Sequence, residues 1–443
     1  MRVYIQGICG TFMAGVAVLA KQLGMQVRGS DKAMYPPMDR QLANIVVDHK
    51  YEVSLKQDGV YPEHVIIGNS MSRKNFQVEE VLNQNIPYSS GPEWVAHNVL
   101  QHRKVLAVAG THGKTSTASM LLWILQYAGL NPGYLIGGVP KFVDKSADLG
   151  KDEWFVIEAD EYDSAFFDKR AKCLHIKPFA AVINNLEHDH FDIYDSLEAI
   201  QDVFLKWVKL IPATGGLICS AQDSCSKIVT AAKAITNVKV LNQEEIMRTK
   251  ENSAQQACWL VNQEIVGEFC ADWISEHMLE NAMAAASMAY YHVGLDRSII
   301  LKALAKYPGV ARRMELKKKD GNVFWYDDFA HHPTAIQKTI QAAKLRHPDL
   351  DVFVCLELSS YSLKQKQHFD MLKESLALSK KVLMLNSEKD LSLARQVKDL
   401  SVALSQVELF DSSTKLLAAL TKYVAKDGVV LTISSKDFAG VRI

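Results

Sequence analysis

The segment Val105-Leu-Ala-Val-Ala-Gly-Thr-His-Gly-Lys-Thr-Ser-Thr117 constrains the fold more than any other part of the chain. Its apolar run reads as a buried parallel strand. A glycine turn follows, and Lys114-Thr115-Ser116 opens a helix-compatible stretch. Strand, glycine loop and helix start, in that order, make a cradle for phosphate. The loop N–H groups point inward, and the helix end adds partial positive charge. The turn is built on Gly110 and Gly113 as G-x-x-G-K-T. Val108 stands where the strict phosphate-loop pattern has its first glycine. The expectation is a nucleotide site, with Lys114 on the β/γ-phosphates and the Thr115 or Ser116 hydroxyl on Mg²⁺. Lys114 is expected to project into a cleft, so that removing it leaves folding intact.

Apolar strand patterns alternate with helical ones through most of the chain, which predicts α/β architecture with largely parallel sheets. A length of 443 residues suggests about three domains. We place them at 1–103, 104–313 and 314–443. The first and third read as Rossmann-like, and the central one as P-loop ATPase-like. Basic and acidic residues both number 50, so no global field favours nucleic acid or an anionic membrane. No apolar run is long enough to span a bilayer, and the start lacks the pattern of a secretory signal. Seven scattered cysteines without a C-x-x-C pair suit reduced thiols in the cytoplasm.

Ligands of open α/β sheets are met at the carboxyl ends of strands, so polar residues there are site candidates. In the first domain these are Gly7 and Gly10 after the opening strand, Asp31 after the second, and Asn69 after Val65-Ile-Ile-Gly68. In the second, Trp154-Phe-Val-Ile157 ends in Glu158-Ala-Asp-Glu-Tyr-Asp163, and Phe179-Ala-Ala-Val-Ile183 ends in Asn184-Asn185. Mg²⁺ prefers carboxylate, phosphate and water oxygens. Glu158, directly after its strand, is the favoured ligand, with Asp160, Glu161 and Asp163 as neighbours; the alternative is a solvated acidic loop. His188 and His190 sit in Asn185-Leu-Glu-His-Asp-His-Phe-Asp192, where a Mg²⁺ or phosphate role for His190 competes with zinc and with a plain polar loop. In the third, Val323-Phe-Trp-Tyr326 ends in Asp327-Asp-Phe-Ala-His-His-Pro333, preceded by Arg312-Arg313. Such an arginine can stabilise phosphate charge during transfer.

Taken together, Gly110-Thr-His-Gly-Lys-Thr115, Glu158, Asn185 with Asp189-His190, Arg313 and Asp328 resemble the hallmarks of the Mur ligase family along the whole chain. That family joins an amine to a carboxylate using ATP and has three α/β domains. Ile8-Cys-Gly-Thr-Phe-Met-Ala-Gly15, Gly29-Ser-Asp-Lys-Ala-Met-Tyr-Pro-Pro-Met38 and Asp327-Asp-Phe-Ala-His-His-Pro-Thr-Ala335 are similar to the branch that recycles cell-wall peptide. The resemblance implies ATP, Mg²⁺, UDP-N-acetylmuramate and the tripeptide L-Ala-γ-D-Glu-meso-diaminopimelate. It further implies that Gly110, Thr111, His112, Gly113, Lys114, Thr115 and Ser116 bind the ATP phosphates. Thr115 and Glu158 would hold one metal, and His190 would serve a second. Asn281 and His277 would approach the base, Arg313 phosphate and Asp328 the ribose. Gly7, Gly10, Asp31 and Asn69 would hold UDP, and Asn185 and His331 the substrate. Lys114, His190 and Arg313 would stabilise the charge that moves.

Several positions depart from the family pattern. Ser275 and Met278 flank His277, Glu357-Leu-Ser-Ser360 lacks the usual arginine, and Ser434-Ser-Lys-Asp437 replaces a glycine-rich turn. Lys364, Lys366 or Lys436 would then supply the cation for the peptide carboxylates. A ligase taking free L-alanine, a P-loop kinase, and a nucleotide-gated binding protein are the alternative readings.

Overall fold

The computed structural model describes residues 1–34, 37–188, 193–241, 245–249, 255–359, 361–364, 366–424, 426–436 and 438. It divides into two compact units. One comprises Met1–Ile274 and Met278–Val310; the other comprises Ser275–His277 and Ala311–Ile443.

The first unit opens with five parallel strands: β1 (Arg2–Gln6), β2 (Gln26–Ser30), β3 (Val46–Asp48), β4 (His64–Ile67) and β5 (Tyr88–Ser90). Their order is β3-β2-β1-β4-β5. The direction of winding reverses between β1 and β4, which opens a crevice beyond their carboxyl ends. Helix α1 (Thr11–Gln22) starts in that crevice. Its run from Met13 to Ala20 is wholly buried, which is why the sequence there is almost uninterruptedly apolar.

Seven further strands form the second sheet: β6 (Lys104–Ala109), β7 (Gly133–Leu135), β8 (Ala147–Asp148), β9 (Trp154–Glu158), β10 (Ala180–Ile183), β11 (Gly216–Ser220) and β12 (Asn237–Leu241). The order is β12-β11-β10-β6-β9-β7-β8, parallel except for β7 with β8. The phosphate-loop strand β6 is therefore central, flanked by β9 and β10. Strand order alone brings the loops after β6, β9 and β10 together. Val105 to Ala109 are all essentially inaccessible, as the apolar run predicts.

Largely parallel pairing holds for these sheets but not throughout. Glu245–Thr249 (β13), Gln256–Val261 (β14) and Glu264–Cys270 (β15) form an antiparallel sheet the sequence reading did not anticipate. An α-helix over Glu276–Met288 is closed by one π-type turn over Ala289–Val293.

The second unit carries β16 (Glu315–Asp320), β17 (Asn322–Asp328), β18 (Val352–Glu357), β19 (Lys381–Leu385), β20 (Val407–Phe410) and β21 (Asp427–Ile433). They are ordered β16-β17-β21-β18-β19-β20, antiparallel only between β16 and β17. Pairing with β21 extends β17 through Asp327 and Asp328, so those acids lie inside the strand and not in the loop after it.

Candidate active site

The phosphate loop is built by glycines that nothing else could replace. Gly113 has φ +83°, and a Cβ there would come within 2.2 Å of Asn281 Oδ1. Gly110 has φ +127° and lies against the Asn184–Asn185 backbone. Both positions are left-handed or beyond, where only glycine is unstrained. Asn185, at the end of β10, clamps the loop. Its Oδ1 accepts from His112 N at 2.7 Å, and its Nδ2 donates to His112 O at 3.2 Å. Thr111 and Glu187 bind each other through the Thr111 hydroxyl. Below the loop, Asn281 Oδ1 accepts from Thr117 Oγ1 at 3.2 Å. Asn281 therefore sits beneath Gly113, on the helix that begins at Glu276.

Lys114 is buried, and this differs from the expected projection into a cleft. Its Nζ donates to Gly110 O at 2.6 Å and to Glu161 Oε2 at 3.2 Å, and Asp160 Oδ1 lies 3.7 Å away. Burial by itself would pull the ammonium down. Glu161, with Tyr162, Asp160 and Glu158, reverses this and holds it charged. The segment after β9 is thus no solvated acidic loop: Glu161 is 2% exposed.

Thr115 and Glu158 meet. The Thr115 hydroxyl donates to Glu158 Oε2 at 3.1 Å, while Glu158 Oε1 accepts from Gly137 N at 2.6 Å. A hydroxyl and a fixed carboxylate at the start of a phosphate-loop helix are hard oxygen donors of the kind Mg²⁺ takes. Asp163 instead pairs with exposed Lys169 at 2.5 Å. Asp189, His190 and Asp192 lie outside the described residues.

A cavity of about 450 Å³ opens at the β1–β4 crevice. It gathers Gly7, Gly10, Asp31 and Asn69, all singled out from the sequence, and adds Tyr162, Ser164 and Lys172 from beyond β9. Asp31 supports the glycine turn: its Oδ2 accepts from Cys9 N at 2.8 Å, and its Oδ1 from Lys32 N at 2.8 Å and the Tyr51 hydroxyl at 3.2 Å. Sequence reading missed Lys172 and its companions. The available signal was the basic run Lys169-Arg170-Ala-Lys172, one residue after the Phe166-Phe167 pair.

In the second unit, Asp328 is buried, and both its oxygens are engaged. Oδ2 accepts from Met314 N at 2.7 Å and Oδ1 from Ala330 N at 2.8 Å. Burial pushes its pKa up, against the pull of Arg313 and these N–H groups. Arg312 and Met314 have φ of +60° and +46°; Asp328 holds this strained backbone at Met314 N and Glu315 Oε2 holds it at Arg312 N, on either side of Arg313. The guanidinium groups of Arg312 and Arg313 both lie over the Phe329 ring. His331 Nδ1 is 3.1 Å from Phe329 O, and His332 caps the Pro333–Arg346 helix. His277 lies 3.3 Å from Ser275 Oγ. Burial, with Lys338 and Arg346, pulls its pKa to about 3, so its ring is neutral. At the carboxyl ends of β18 and β21, Glu357 accepts from Ser434 Oγ and from Phe438 N. Lys364 and Lys436 both pair with Glu388, at 2.5 and 2.9 Å. Two of the three anticipated lysines thus converge; the Lys366 side chain lies outside the described residues.

Parallel sheets with a phosphate loop, a carboxylate beside its threonine and a separate glycine-turn cavity suit an enzyme that takes a nucleoside triphosphate with Mg²⁺ and a second ligand. Family models match along the chain: the Mur ligase family catalytic domain over residues 2–103, the Mur ligase middle domain over 108–289, and the Mur ligase glutamate ligase domain over 312–436. The chain is 40% identical over its full length, and 96% of the relative's, to the UDP-N-acetylmuramate–L-alanyl-γ-D-glutamyl-meso-2,6-diaminoheptandioate ligase of Escherichia coli K12. It is 37% identical to the Haemophilus influenzae protein of the same name, over 99% of this chain and 97% of that one. A solved murein peptide ligase from Psychrobacter arcticus 273-4 superposes with a TM-score of 0.75 at 33% identity, covering 99% and 97% of the two chains. The chain belongs to the Mur ligase family.

Proposed function

We propose that this chain joins UDP-N-acetylmuramate to the amine of L-alanyl-γ-D-glutamyl-meso-diaminopimelate at the expense of ATP, in the cytoplasm, as part of peptidoglycan recycling. The observation that carries the reading is full-length identity of 40% to a ligase named for that donor and acceptor.

A carboxylate and an amine do not condense at neutral pH. The γ-phosphoryl group of ATP passes to the muramoyl carboxylate, releasing ADP and making oxygen a leaving group. The peptide amine attacks the carbonyl carbon, loses a proton, and the tetrahedral adduct collapses to amide and inorganic phosphate. The substrate itself is the phosphoryl acceptor, so the protein's work is positioning and charge stabilisation. Gly110 to Ser116 cradle the ATP phosphates, and Lys114 supplies the cation after exchanging Glu161 for phosphate oxygen. Thr115 and Glu158 hold Mg²⁺, which neutralises phosphate charge when bound; His190 serves a second metal. By resemblance to the family, Asn281 and His277 would approach the base, Arg313 would contact phosphate and Asp328 the ribose. Gly7, Gly10, Asp31 and Asn69 take UDP, and Asn185 and His331 act toward the substrate, Asn185 through the loop it clamps. Domain borders at 103/104 and 313/314 belong to this reading.

Free L-alanine, the dipeptide and the tripeptide, each supplied with UDP-N-acetylmuramate, ATP and Mg²⁺, distinguish the acceptors. The tripeptide is expected to give the highest kcat/KM, with the amide product identified by mass. A preference for L-alanine would move the chain to the biosynthetic branch. Lys364→Ala and Lys436→Ala should raise the tripeptide KM and leave that of ATP alone. A lysine lacks arginine's bidentate fork, so discrimination between peptide lengths should be shallow.

A further inference from the structure

Asp160 has a lysine on each side. One is Lys114; the other is Lys172, 9% exposed, with its ammonium 3.6 Å from Asp160 Oδ2. That separation is beyond a hydrogen bond, and among the described residues no acceptor lies closer. The rings of Tyr162 and Phe12 flank the ammonium at 4.9 and 5.1 Å. An ammonium carries three donors, and buried donors are nearly always satisfied. This one lines the 450 Å³ cavity, where it is the one lysine or arginine among the lining residues.

Two observations fix what it faces. Helix α1, 12 residues long, begins at the same cavity with Gly10 as its cap, no side-chain cap hydrogen bond and no acid in its first turn. Its leading N–H groups have no intrahelical acceptor. The one acid lining the cavity, Asp31, is already occupied by Cys9 N, Lys32 N and Tyr51. The cavity therefore offers a cation, paired with Asp160 at 3.6 Å, and helix-end donors, with no unengaged carboxylate among its lining residues, which is the chemistry of an oxyanion site.

The position of Lys172 is held by backbone. Residues 162–172 fold back on themselves: Asp163 bridges Ala171, Lys172 N donates to Tyr162 O at 2.8 Å, and Cys173 N to Asp160 O at 2.9 Å. At the hairpin tip Phe167 packs edge-on against Tyr88 of β5, with ring centroids 4.9 Å apart. The second sheet thus reaches across to complete the cavity of the first.

We propose that Lys172 is a substrate-binding residue that, with the N-terminus of α1, holds the diphosphate of the nucleotide-sugar donor. The assignment rests on the substrate reading above. Asp160 would then tie the cation of the donor site to Lys114 in the ATP site.

The test is calorimetric titration of the full chain with UDP-N-acetylmuramate and with UDP-N-acetylglucosamine, which has the diphosphate but no lactyl carboxylate. Lys172→Met should weaken both about tenfold or more, raise the KM of UDP-N-acetylmuramate, and leave kcat, the KM of ATP and the melting temperature near wild type. Lys172→Arg should recover most of the affinity. If Lys172→Met unfolds, Lys172→Gln takes its place. Loss confined to UDP-N-acetylmuramate would put the lysine on the lactyl carboxylate and overturn the diphosphate assignment. Equal loss in Lys172→Arg together with a lowered melting temperature would make the role structural and overturn it too. A wild type that binds both sugars, with variants that bind them as well, defeats the Lys172 assignment alone. A wild type that binds neither defeats the substrate reading and this proposal together.

Discussion

At the scale of single residues, burial changes what Lys114 predicts. Lys114→Ala should reduce turnover by about 10²-fold or more, because phosphate charge loses its fixed cation. It should also destabilise the protein at neutral pH, since buried Glu161 loses the Lys114 ammonium. Breaking such a pair costs about 3–5 kcal/mol, readable in urea denaturation. Adding Glu161→Gln should restore much of that stability and none of the activity. A Lys114→Ala variant as stable as wild type would mean that the Glu161 charge is held without Lys114. Glu158→Ala should lower kcat far more than Asp163→Ala. Glu158 is pinned between Thr115 and Gly137, whereas Asp163 forms an exposed pair worth about 1 kcal/mol or less. Equal losses would disperse the metal role over the cluster. Glu158 was readable because it directly ends a strand. The burial of Glu161 was not, because four acids in six residues look alike until the fold places them.

At the scale of elements, His292 and Gly216 form a coupled pair. His292 lies in the π-type turn, and a Cβ on Gly216 of β11 would come 1.9 Å from its ring. Among the described residues its buried Nε2 has no hydrogen-bond partner, and burial pulls the pKa down to about 4. The unfolded chain takes up this proton near pH 6.5 and the folded one only near 4. Stability from the neutral ring is therefore complete above pH 6.5 and falls as the pH drops toward 4, by on the order of 2 kcal/mol. Urea midpoints at pH 7 and pH 5 should differ less in His292→Leu than in wild type; an unchanged difference would clear His292 of the effect. The strands flanking the glycine turns were legible because apolar runs and glycine punctuation are local signals. The β13–β15 sheet was not. Its hairpin turns on Asn262 and Gln263, both at positive φ, where the recognisable sequence would be Asn-Gly.

At the scale of the molecule, the first two sheets behave as one body. Gln41 Oε1 accepts from both Ser146 N and Ser146 Oγ, at 2.9 and 2.6 Å, and Gln22 bonds Asp148 and Leu149. Gln41→Ala strands a buried N–H and should cost about 1–3 kcal/mol. Calorimetry should show the transition of the N-terminal unit shifting as a whole. A split into two transitions would mean that the sheets unfold independently.

The sequence by itself determined the α/β alternation, the glycine turns at Gly7–Gly10 and Gly110–Gly113, and the strand ends where polar residues collect. Each follows from sterics and hydrophobic spacing within a short window. Tertiary structure alone decided which of those ends share a site. Thr115 meets Glu158 across 43 residues because β6 lies beside β9, and Thr117 meets Asn281 across 164 because the Glu276–Met288 helix packs beneath the loop. The same order carries Lys172 to a cavity opened by Gly7 and Gly10. Which strands become neighbours is set by the packing of whole faces, and no local window of the chain encodes it.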